Sequence, residues 1–147
     1  MRVRLAIISI LIPGVAAATD WTIPSQSLEQ ALPQGCDASS DAGLEDCAAK
    51  AFQAADAELN RVWKRALASI DQSSDSAGNL TSAEVGQWKS DLIAAQKAWA
   101  SFKDLDCNEA RSFEYWGGTG RSLAVLNCQF EYTVTRTRDL KERYLDR

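Results

Sequence analysis

Val85, Trp88, Leu92, Ala95, Trp99 and Phe102 recur at steps of three and four residues, so they share one face of a helix. The stripe runs for several turns, carries two tryptophans and closes on Cys107. An apolar face of that length has to be covered, and the rest of the chain reads as the elements that cover it. One polar residue, Gln96, lies beside the stripe four positions after Leu92.

The start of this helix is spelled out. Thr81-Ser82-Ala83-Glu84 is a capping box, in which Thr81 and Glu84 each satisfy the other's free backbone N–H, and Leu80 and Val85 stand at the two positions of a hydrophobic staple. The spacing predicts an end between Cys107 and Arg111. Upstream, Phe52, Ala55, Leu59, Val62, Ala66 and Ile70 fall at helical steps, predicting a first helix from about Asp41 to Ile70 with Cys47 near its start. Alanines and straight-chain residues fill its remaining positions. The polar run from Asp71 to Asn79 reads as a loop. Downstream, Ser112 to Arg121 reads as a second loop, its glycines around Thr119 suited to positive φ and a tight reversal. A last helix follows from Ser122 to Leu145, with Leu126, Phe130, Thr133, Thr137, Leu140 and Tyr144 in phase.

Three long helices with short connections pack up-down-up. The fold expected is therefore all-α, a three-helix antiparallel bundle with an extended N-terminal arm and two disulfides. One domain, residues 36–147, carries the helices, and residues 19–35, with two prolines and no sustained period, form the arm, with one helical turn near Leu28.

Residues 1–18 have the grammar of a secretory signal peptide. A basic start (Arg2, Arg4) precedes an apolar core too short to span a bilayer and a small-residue exit at Ala16-Ala17-Ala18. Cleavage there predicts a periplasmic or secreted protein with no membrane insertion. It also keeps all four cysteines, Cys36, Cys47, Cys107 and Cys128, and an even count in an exported chain implies two disulfides. Metal binding is the competing reading, but the spacings are wide, no Cys-x-x-Cys occurs and the chain has no histidine. Four cysteines allow three pairings. In an up-down-up bundle Cys47, Cys107 and Cys128 share one end, and matching their depths favours Cys47–Cys128 with Cys36–Cys107.

Removing Arg2 and Arg4 leaves 14 basic against 20 acidic residues, a net charge of about −6. That disfavours nucleic acid and anionic membrane surfaces, which reward Lys/Arg clusters, and permits steering toward a cationic partner. Without histidine, Ser-His triads and imidazole proton shuttles are excluded. Gly117-Gly118-Thr119-Gly120 does not sit between a strand and a helix, so it is a turn rather than a phosphate cradle. Nothing in the sequence calls for a cofactor, and no enzyme is expected. The informative polar residues flank the apolar stripes: Asp56 and Asn60 one turn apart beside Leu59, Gln96 beside Trp99, and Arg136 between Thr133 and Leu140. They line a binding pocket or pair inside the bundle and fix helix register, and the second is expected, since buried polar groups must be paired.

These residues, read in order, resemble a known family. Cys47, Asp56-x-x-Leu59-Asn60, Ala95-Gln96-x-x-Trp99-x-x-Phe102-x-Asp104-x-x-Cys107, Gly117-Gly118-Thr119 and Cys128-x4-Thr133-x-x-Arg136-Thr137-x-x-Leu140 resemble the LprI-like lysozyme-inhibitor domain. The resemblance spans about residues 36–145 and implies a small, helical, cysteine-bridged envelope domain. This chain lacks a lipoprotein cysteine and carries Thr119 where family members more often have Ser. The function the resemblance implies is inhibition of a cationic lysozyme-type muramidase by occluding its cleft. The alternative is a non-inhibitory structural or accessory envelope protein with another partner. For the inhibitor reading, the expected grip is the loop carrying Tyr115, Trp116, Thr119 and Arg121, since Tyr, Trp and Arg are the residue types most often found as interface hot spots.

Overall fold

The computed structural model describes residues 27–77, 80–115, 118 and 120–146. The proposed signal peptide, residues 19–26 of the arm, and Trp116, Gly117 and Thr119 of the second loop lie outside the described residues. The chain folds as three long helices: α1 (Asp41–Ala77), α2 (Ser82–Leu105) and α3 (Arg121–Tyr144). A 3₁₀ turn, Leu28–Ala31, precedes α1.

Contacts along the helices give the register. Asp71 near the end of α1 meets Lys89 near the start of α2 at 2.7 Å. Trp88 meets Tyr144, Gln96 meets Arg136, and Asn108 meets Gln129, so α2 and α3 run antiparallel. α1 and α3 lie side by side and share the largest contact in the molecule. Two apolar clusters result. One, near the α1–α2 connection, joins all three helices through Leu59, Val62, Ile70, Val85, Leu92 and Leu140. The other packs Leu28 of the 3₁₀ turn against Ala48, Ala51 and Phe130 of α1 and α3. The residues before α1 thus cover part of the α1–α3 seam.

Helix ends follow local chemistry. Ser40 caps α1, its hydroxyl accepting from the Gly43 N–H at 3.1 Å. A side chain at Gly43 would collide with the Asp37 carbonyl, so the chain's entry into α1 requires a glycine there. The Thr81–Glu84 box forms in both directions: the Thr81 N–H donates to the Glu84 carboxylate at 2.7 Å, and the Glu84 N–H to the Thr81 hydroxyl at 3.3 Å. Its staple is one-sided, because Val85 is buried while Leu80 is exposed.

Four expectations need correction. α1 continues through the stretch read as a loop and ends at Ala77 rather than Ile70. Ser69 and Ser73 turn their hydroxyls back onto carbonyls of the preceding turn instead of breaking the helix, and Asp71 is held by Lys89. The α2 stripe is rotated: Ala95 and Phe102 are exposed, Trp88 and Trp99 half-buried. Gln96 and Lys103 take the inward places one step further round, because a straight helix of 3.6 residues per turn drifts off a three-four repeat. Of the glycines around Thr119, Gly120 has φ −80°, and among described residues only Gly35 has positive φ. The cysteines pair as Cys36–Cys47 and Cys107–Cys128, with Cα atoms 5.8 and 5.6 Å apart, rather than across the bundle. Cys36, just before α1, lies within reach of the first turns of α1. The backbone after α2 does not stop but carries Cys107 round to α3.

Candidate functional site

That continuation is the most unusual part of the backbone. Asp106–Ala110 forms a π-helical turn directly after α2, with the Arg111 N–H bonding back to the Asp106 carbonyl, and Arg111–Tyr115 follows as a 3₁₀ turn. Wide turns of this kind inside helical runs are rare and often mark functional positions. Here the turn points Cys107 at Cys128 and brings Asp106 under α3. The Asp106 carboxylate accepts from the Tyr132 hydroxyl at 2.9 Å and from Arg111 Nε at 3.0 Å. The Arg111 guanidinium lies over the Tyr132 ring at 5.7 Å, and Phe102 meets that ring edge-on at 5.6 Å. The hydrogen bond to Asp106 holds the Tyr132 phenol above its ordinary range; loss of hydration and the Asp106 charge add to this, and Arg111 opposes it.

Of the loop residues, Tyr115 is exposed and lines a groove of about 550 Å³ walled by Leu28, Leu32, Leu44 and Leu123. Arg121 donates to the Ser112 hydroxyl at 3.1 Å, and buried Ser112 donates to the Glu109 carbonyl at 2.9 Å. Arg121 therefore braces the base of the loop from the first residue of α3.

The four polar residues expected to form one network fall in two places. Asn60 donates to Asp56 at 3.0 Å on the exposed side of α1. Arg136 donates to Gln96 at 2.8 Å and to Asp139 at 2.7 Å, with its side chain only 14% exposed. Among the described residues no hydrogen bond or ion pair joins the two pairs. Trp99 sits between two cations: Lys103 Nζ lies 5.5 Å from its ring centroid and the Arg136 guanidinium carbon 6.0 Å. Lys103 also lies 5.3 Å from the Phe52 ring, so a buried ammonium is held between two aromatic faces.

Sequence reasoning missed Lys103, Asp106, Arg111, Tyr132 and Asp139. Lys103 is recognisable only once the core face of α2 is rotated, and Asp106–Arg111 only with the π turn, which has no sequence signature. One group among the described residues brings metal-ligand types together, Asp106 with Cys107 and Cys128, but both sulfurs are spent on their own disulfide.

Residues 36–140 match the family described as lysozyme inhibitor LprI, which takes in both disulfides, α1, α2 and α3 as far as Leu140. The chain belongs to the LprI family. An uncharacterized protein of Rhizobium meliloti (strain 1021) is 32% identical over 130 residues, covering 88% of this chain and 91% of the relative. No solved structure matches. The LprI match begins at Cys36 and ends at Leu140, so the π turn and its Asp106–Arg111–Tyr132 group lie inside it. Among the described residues no helix is long and apolar enough to cross a membrane, and the two disulfides suit an oxidising compartment.

Proposed function

We infer that this LprI-family protein is exported to the periplasm or beyond and inhibits a lysozyme-type muramidase by occluding its cleft. The family match over residues 36–140 carries the reading. Charge supports it. Lysozymes are commonly cationic and work with two carboxylates in a cleft, and an acidic inhibitor gains association rate from the opposite sign. The element offered to the cleft is the loop from Tyr115 to Arg121, including Trp116 and Thr119. Its base is braced by Arg121–Ser112 and tied by Cys107–Cys128, and anchoring the two ends of a loop lowers the entropy it loses on binding.

The test is lysis of a cell-wall suspension by several lysozymes, with and without the purified mature protein. Dose-dependent protection against at least one lysozyme is expected, relieved as ionic strength rises. Full lysis by every enzyme at saturating protein would assign the domain to a structural or accessory role.

A further inference from the structure

Resting on the inhibitor reading and deepening it, we propose that the end of α2, centred on Phe102 and Leu105, is a second docking face that grips the cationic surface beside the muramidase cleft while the loop enters it.

Exposed large apolar side chains scattered singly are ordinary, and clusters are not. Five are exposed among the described residues, and four of them, Phe102, Leu105, Phe113 and Tyr115, lie between residues 102 and 115. Phe102 is 54% exposed and Leu105 63%. They stand three residues apart and so on one side of α2. Neither contributes to the two apolar clusters inside the bundle.

The face is held from below. Phe102 rests edge-on against Tyr132, whose hydroxyl is fixed by Asp106, and Asp106 is fixed in turn by Arg111. The neighbouring Cys107–Cys128 bond ties α2 to α3 at this level. An aromatic ring that stays exposed on a braced base loses little freedom when a partner covers it. That combination suits a hot spot better than a flexible side chain would.

The sign of the surrounding charge names the occupant. Between Phe102 and Tyr115 stand four carboxylates, Asp104, Asp106, Glu109 and Glu114, and two cations. Lys103 points inward between Phe52 and Trp99, and Arg111 is paired with Asp106. Exposed in this stretch are the apolar four, the carboxylates Asp104, Glu109 and Glu114, and Arg111, whose charge Asp106 offsets, so the net sign is negative. A basic protein surface complements it, and a lipid headgroup layer or nucleic acid does not.

The experiment is calorimetric titration of egg-white lysozyme with the mature protein and with Phe102→Ala, Leu105→Ala and Leu80→Ala, each checked by circular dichroism and thermal melting. Leu80 is exposed at the far end of the bundle and serves as the control. Leu105→Ala should melt like the parent, and Phe102→Ala, which loses its edge contact with Tyr132, slightly lower while remaining fully folded at the titration temperature. Phe102→Ala should weaken binding by about 30-fold or more, Leu105→Ala in the same direction, and Leu80→Ala not at all. If the parent protein binds and inhibits but both variants match it, the docking face is wrong and the inhibitor reading stands. If the parent binds neither egg-white lysozyme nor any enzyme of the lysis assay, both fall. Sedimentation that shows Phe102→Ala dissociating a dimer of the chain would give the face to a second copy and overturn the proposal.

Discussion

Arg136 reaches across from α3 to the Gln96 carbonyl and holds Asp139 one turn along its own helix, while Asp139 also receives Arg143 at 2.6 Å. Partly buried polar groups of this kind are costly when half satisfied. Arg136→Ala is therefore expected to lower stability by about 1–3 kcal/mol, since it strands the Gln96 side chain and leaves Asp139 with Arg143 as its remaining partner. A double-mutant cycle with Gln96→Ala in urea unfolding should show a coupling of about 0.5–1.5 kcal/mol. Additive losses would mean the contact does not hold the helices in register. Binding to a lysozyme should weaken only as far as the variant unfolds, because neither residue reaches the exposed face at the end of α2. Lys103 makes the same point from the other side: a charge stands on the core face of α2 because two rings receive it.

At the scale of elements, the start of α2 depends on a charge. The N–H and hydroxyl of Thr81 both donate to Glu84, the backbone bond first, and they hold its carboxyl below the usual range. A depressed carboxylate contributes stability that is fully present above the unfolded-state value, about 4.3 for glutamate, and is lost as pH falls through the folded value. Thermal melts of the parent and Glu84→Gln should therefore differ by a constant amount from pH 8 to about pH 5, and the gap should close below about pH 4. A gap unchanged down to pH 3 would show that the cap works without the charge. Much at this scale was readable in advance. Thr81–Glu84 placed the start of α2, and the apolar steps from Phe52 to Ile70 placed α1. The end of α1 was hidden because serine and aspartate favour loops only when their side chains compete for the backbone, and here Ser69 and Ser73 do not break the run. The site was far less legible. The phase of the α2 stripe could be drawn through Phe102 or through Lys103, and apolarity alone chose the wrong one. The Asp106–Arg111–Tyr132 group depends on a turn one residue wider than an α-helix, which residue type does not announce.

For the whole molecule, the pairing of cysteines gives a direct check. Trypsin cleaves after Lys50, Lys103, Arg111, Arg121 and Arg136, so Cys36 and Cys47 stay on one fragment, Cys107 falls on 104–111 and Cys128 on 122–136. Without reduction, mass spectrometry should find 104–111 joined to 122–136 and the Cys36–Cys47 fragment by itself. A single species joining all three would restore the cross-bundle pairing. The two bridges close loops of 11 and 21 residues and leave α1 without a disulfide to α2 or α3. α1 is therefore held to the other helices by packing and by side-chain pairs such as Asp71–Lys89 and Glu58–Lys141, and each disulfide is made between neighbours in chain order. A polypeptide delivered into an oxidising compartment with its N-terminus leading would complete the first bond before Cys107 arrived. The second pair would then meet no competing thiol, and correct oxidation would follow from the order of delivery without any need for reshuffling.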